Sequence, residues 1–323
     1  MISLGRLALR IQRFEFGTVA LLVLLVGVSA LIVRARLDGV GATVECFEVW
    51  LYGSGPFGAG ACEGPVSTFL AINQDEAAPI IATMQALPLV VGLVLGVSLV
   101  GREIESGTAV TAWALAASRR RWLAGRLIPV LAALLGLLAF SAIASEILAV
   151  GRNPWIAGGV TFQDAGEHGP GIVARGVAAF GIAAAVGAAL GRMLPAVLVS
   201  AALLLGLWIG GDVALVAWLD SARREVMIDA PSRDDGVWGI TDQYWRTPAG
   251  QRLTEAEAWA MIPADVTEPL QDVWLAEHLE RVVVGVPASE YPAWSAFETA
   301  GFTAVGALGL VVVYLIVDRR RPV

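Results

Sequence analysis

The chain has no lysine, so all 22 of its basic residues are arginine. A phosphate-cradling G-x-x-x-x-G-K-[ST] loop needs that lysine on the β- and γ-phosphates, so the chain cannot hydrolyse ATP through one. Schiff-base chemistry and a kinase-type lysine are excluded with it. Charge of either sign is scarce at 16% of residues, where a soluble domain carries about a quarter. The formal net charge of −7 argues against a nucleic-acid partner. Histidine is almost missing: His168 and His278 stand apart, outside H-E-x-x-H or any metal-ligand spacing, so no metal site is expected. There is no G-x-S-x-G and no glutamate pair at one depth, so no catalytic residue is assigned.

What is present is apolar. Hydrophobic residues make up 57% of the chain and mean hydropathy is +0.70, more apolar surface than one globular core buries. A membrane-crossing helix needs about 20 predominantly apolar residues. Six such spans are predicted, at 16–33, 78–100, 127–150, 171–190, 194–219 and 300–317. The first runs on through Leu31, Ile32 and Val33, longer than a signal-peptide core of about 7–15 residues, and reads as a retained anchor. Arginine near the span ends sets orientation. With the N-terminus inside, twelve arginines fall on the cytoplasmic side and four (Arg34, Arg36, Arg152, Arg175) on short outer segments. Both termini are therefore expected in the cytoplasm of a multi-pass protein of a plasma membrane. The arginine-only basic complement suggests GC-rich coding and a bacterial source.

The expected fold class is all-α: a polytopic membrane protein with six transmembrane helices, a cytoplasmic helix between the second and third, and an extracytoplasmic cap. Its units are a cytoplasmic segment at 1–15, spans one to five over 16–219 with an outer loop at 34–77, a cap loop at 220–299, span six at 300–317 and a tail at 318–323. From Asp220 to Glu298 the cap holds fifteen acids, six arginines and five tryptophans, an aromatic density that argues for packed structure. Thr254-x-x-Glu257 is a capping box opening one helix, and 269–281 reads as a second. Cys46 and Cys62 both lie in the first outer loop, where an oxidising compartment favours a disulfide; two unpaired thiols are the alternative.

Glu146 in span three and Asp212 in span five are acids at membrane depth. Such groups face cavities, pair, or serve transport. Arg175 is placed to pair with either. Gly92-x-x-x-Gly96 and Gly187-x-x-x-Gly191 allow close helix approach, within one chain or across a dimer.

The segment from 101 to 126 is the most informative. It begins with Arg102, Glu103 and Glu105, turns at Gly107 and Thr108, and ends in Arg119, Arg120, Arg121 and Arg126. Thr108, Thr111, Ala112 and Leu115 share a helical face, so a short interfacial helix is expected, with Trp113 and Trp122 anchoring it at headgroup level. The order E-x-E-x-G-T, a short helix, then S-R-x-x-W-L-x-G-R leading into a span resembles the permease subunits of ABC-2-type exporters. In that family the stretch follows the second of six spans, as here, and often carries lysine where this chain has Arg126.

The resemblance implies that Arg102, Glu103, Glu105, Gly107, Thr108 and Trp113 build a coupling helix seated on a separate ATPase. ATP and magnesium would be bound by that partner and no cofactor by this chain. It implies two permeases with two ATPases, hence a homodimer, and efflux of a small-molecule or lipid-like cargo. Uncharged spans favour an amphipathic or lipophilic cargo, such as an antibiotic. The alternatives are a membrane sensor or scaffold coupled to an ATPase, and an intramembrane enzyme using Glu146 and Asp212.

Overall fold

The computed structural model describes residues 13–47, 59–115, 118–153, 162, 165–166, 168–228 and 237–319. Arg6, Arg10, Arg320 and Arg321, counted above for orientation, lie outside the described residues. Among those described, six helices are long and apolar enough to cross a membrane. They are α1 (Arg13–Gly39), a continuous helix Cys62–Glu105, α5 (Arg119–Arg152), α6 (Pro170–Leu190), α7 (Met193–Ala222) and the helix ending in α10 (Tyr291–Arg319).

Two of these extend well beyond their apolar runs. α2 (Ala59–Ile72) passes through a π-helical turn, Asn73–Ala77, directly into α3 (Ala78–Glu105). Much of the described part of 34–77 is therefore helix. The turn holds the polar residues Asn-Gln-Asp-Glu, and they are used: Arg152 donates to Asn73 at 2.8 Å, and Arg36 pairs with Glu76. These bonds tie α1 and α5 to the π-helical turn at one end of the bundle. Cys46 and Cys62 are joined by a disulfide at the same end.

α6 is the centre. Its sequence is almost wholly glycine, alanine and β-branched residues, so neighbouring backbones come close. A Cβ on Gly92 of α3 would lie 2.5 Å from the Gly176 carbonyl oxygen, and one on Gly96 would lie 2.6 Å from that of Phe180. On the opposite side Gly181 of α6 meets Gly306 and Gly309 of α10. Gly187 packs against Val97, while Gly191 has a positive φ of 63° and caps α6 through a 3.0 Å bond to the Gly187 carbonyl. Both glycine motifs thus serve packing within one chain. The apolar core that runs between α3, α5 and α6 includes Leu95, Leu99, Leu134, Leu138 and Phe180.

Between α7 and α10 the chain builds a small α/β unit, which the all-α expectation for the cap lacked. Strands β1 (Arg224–Ile228), β2 (Trp238–Arg246), β3 (Arg252–Leu253) and β4 (Glu280–Val286) form an antiparallel sheet in the order β1-β4-β2-β3. The Thr254 capping box is present and opens α8 (Glu255–Ala260). The second expected helix is α9 (Glu268–His278), and it stops short of 281 because Glu280 begins the central strand β4. Phe162, Val286 and Trp294 seat the unit on the ends of α7 and α10.

Candidate functional site: the short helix between the second and third spans

α3 ends at Glu105, and Gly107, with φ 72°, reverses the chain in one residue. α4 (Thr108–Leu115) then runs eight residues. Its base is stapled to α3: the Ser106 and Thr108 hydroxyls lie 2.9 Å apart, and Thr108 Oγ1 donates to the Glu103 carbonyl at 3.4 Å. On the other side Ser118 caps α5, accepting from the Arg121 amide at 3.2 Å.

The charged residues divide between surface and interior. Arg102 is half-exposed and pairs with Glu15 of α1 at 2.7 Å. Glu103 is buried, 8% exposed, and pairs with Arg126 of α5. The Arg126 guanidinium lies 5.1 Å from the Trp122 ring centroid, and Trp122 stands edge-on to Trp113 at 5.9 Å. Arg119 covers the Trp113 ring at 5.2 Å. Trp122 is 7% exposed and belongs to the main core. It is therefore no headgroup anchor: the indole is consumed as the platform on which Arg126 and Trp113 rest. Glu105 is exposed, and its Oε2 accepts from the Met193 amide, the first residue of α7, at 2.9 Å. Arg120 closes this face with a bidentate bond to Asp318 at 3.1 and 3.0 Å.

The acids at membrane depth sit at the opposite end of the bundle. Arg175 pairs with neither Glu146 nor Asp212. Its guanidinium donates from Nε at 2.9 Å and from Nη2 at 2.5 Å to Glu298, and stacks 5.5 Å from Phe302. Glu298, expected in the cap loop, lies inside α10, which begins at Tyr291 rather than 300. Glu146 bonds His168 Nδ1 at 2.8 Å, and Tyr291 bonds Nε2 of the same ring at 3.0 Å. His168 is therefore the buried centre of a three-residue network and not an isolated side chain. Asp212 is exposed on α7, and no ion pair reaches it among the described residues. Also among the described residues, no group of three or more His, Cys, Asp or Glu is placed to hold a metal.

Of the residues expected to act together, Arg102, Glu103, Glu105, Gly107, Thr108 and Trp113 do gather at the base of α4. Glu15, Met193 and Asp318 complete the arrangement from distant parts of the chain, and no local pattern announced them.

Among the described residues, six membrane-length helices with a short helix between the second and third define a polytopic helical membrane protein. A family model described as ABC-2 membrane transporter related matches residues 16–219, and the chain belongs to that family. Membership makes it a transporter permease and not itself a catalyst, and implies an ATPase partner. No curated protein and no solved structure matches the chain.

Proposed function

We propose that the chain is the permease subunit of an ABC-2-type exporter, with α4 as its coupling helix on the cytoplasmic side. Two copies form the path and two ATPase subunits drive it, binding all the ATP and magnesium. The cargo is an amphipathic or lipophilic small molecule or lipid, moved outward across a bacterial plasma membrane. One observation carries this reading. A helix of eight residues, too short to be stable alone, is fixed to α3 through the Thr108–Glu103 carbonyl bond and to α5 through the Trp113–Trp122 pair, while Glu103–Arg126 locks α3 to α5 beneath it. A rigid projection of this kind delivers force from a soluble partner; a merely connecting loop needs no such bracing.

The test is a mild-detergent pull-down of the tagged chain from its host, identifying every co-purifying protein. A P-loop ATPase in stoichiometric amount, lost when exposed Thr111 of α4 is changed to Arg, is the expected result. Thr111 is chosen because Glu103 faces inward and its loss would disturb the fold itself. A chain that emerges alone from several detergents, in good yield, would end the exporter reading. Export is then checked by reconstituting the complex and measuring ATP-dependent movement of fluorescent lipids and lipophilic cations.

A further inference from the structure

We propose that Glu105 hands the motion of α4 to α7, so that α7 is the helix the ATPase drives. Glu105 acts as a positioning residue, and the inference rests on the coupling role given to α4 above.

A helix begins with amide N–H groups that have no partner of their own, and a side-chain acceptor normally sits at the N-cap. In α7 the N-cap residue is Arg192, whose side chain makes no cap bond. The acceptor comes from 88 positions earlier: Glu105 Oε2 takes the Met193 N–H at 2.9 Å. Its negative charge also meets the positive end of the helix dipole. Glu105 is the last residue of α3, two positions before the glycine that opens α4, so whatever moves α4 moves this carboxylate.

α7 is suited to respond. Of its 30 residues only Ala196, Ser200 and Leu204 are fully buried, whereas α6 is locked to α3 and α10 by glycine contacts that leave no room to slide. Only Gly191 in the left-handed region and Arg192 in extended conformation join α6 to α7. That two-residue link is a hinge between a fixed helix and a loosely packed one. The two acids of the segment therefore do different things. Glu103, buried against Arg126, locks α3 to α5 beneath α4, and Glu105, exposed and singly bonded, connects the base of α4 to the least buried of the described spans. The far half of α7 carries Asp212, an acid with no ion pair among the described residues, so the same motion repositions that carboxylate.

The experiment uses the full permease–ATPase complex in nanodiscs with Val213→Cys on the exposed face of α7. Both native cysteines are tied in a disulfide, so the new thiol is the one this chain offers to maleimide, and labelling is read on the band of this chain. In the otherwise native chain a non-hydrolysable ATP analogue is expected to change the labelling rate about fivefold or more, the scale of ordinary coupling energies. Glu105→Ala is expected to keep the ATPase bound and abolish that change. Glu105→Gln, which retains an acceptor oxygen for the Met193 amide, is expected to restore it. Loss of ATPase binding in Glu105→Ala, or a Gln variant as defective as Ala, would place the carboxylate's charge on the partner and overturn the lever. A Glu105→Ala complex that still shows the full nucleotide response would overturn it as well. If the native chain forms no complex at all, the coupling reading itself fails and the lever with it, a result seen before any variant is made.

Discussion

Glu103 and Arg126 carry opposite charges out of water, with side chains 11% and 13% exposed. Desolvation of such a pair is costly, and their attraction offsets it only while both are present. Removing one leaves an uncompensated buried charge. Glu103→Ala is therefore expected to destabilise the fold by about 3–5 kcal/mol, while the double change Glu103→Leu with Arg126→Met recovers most of it. Denaturant titration in mixed micelles, following tryptophan fluorescence, reads both. A Glu103→Ala chain as stable as the native one would mean that water reaches the site. The sequence displayed both residues within one motif yet gave no hint that they face each other. Acid and base lie at opposite ends of the segment, and only the reversal at Gly107 folds the ends together. Arg175 and Glu298, 123 positions apart, were harder still. The pairing needs α6 and α10 in contact, which apolar runs do not specify.

Helices were legible as elements because a bilayer demands continuous apolar stretches, and each of the six appears where its stretch lies. Their ends were not, since Tyr291–Glu298 and Ala59–Ile72 are polar or mixed and extend helices past the apolar run. The cap sheet escaped notice for a related reason. β2 is exposed along most of its length, so it lacks the alternation that marks a half-buried strand, and only β4 has a buried apolar run. Glycine seams make a sharp test at this scale. Gly92→Ala places a methyl group against the Gly176 carbonyl and is expected to cost about 1–3 kcal/mol, the usual range for overpacking. Gly206→Ala on α7 meets nothing within 4 Å and is expected to be neutral or to gain up to about 1 kcal/mol of helix propensity. Equal effects at the two sites would refute the packing of α3 on α6. The cap has its own pH dependence. Hydrogen bonds from Tyr244 and then Arg246 hold the Glu225 carboxyl below its usual range, and the Thr254 amide and hydroxyl do the same for Glu257. A depressed folded pKa contributes stability above the unfolded value, lost as pH falls through the folded one. The contribution of these two carboxylates is thus full well above the ordinary glutamate pKa of about 4.3 and fades as pH falls through and below it, and the Glu225→Gln, Glu257→Gln double variant should show a flatter acid limb in near-UV circular dichroism. An unchanged limb would remove these two carboxylates from the account.

At the scale of the whole molecule the decisive asymmetry is electrostatic. One end of the bundle gathers Arg102, Arg119, Arg120, Arg121, Arg126 and Arg192 around α4, and the other carries the disulfide, the His168 network and an acidic cap. Anionic lipids and the insertion machinery favour arginine on the cytoplasmic side, which supports the proposed orientation with α4 and both chain ends inward. The arrangement is self-consistent, because Glu15 near the start and Asp318 near the end both pair with arginines of that face. The proposed orientation would also put the disulfide outside, where thiols stay oxidised. A fluorescent protein fused after Val323 should therefore glow, and alkaline phosphatase inserted in the exposed cap turn at Gly250 should be active. The converse fusions, phosphatase at the tail and the fluorophore in the cap, should be silent when export follows the unfolded route. The reverse pattern would put α4 outside, beyond the reach of ATP, and would remove the physical basis for any coupling through it.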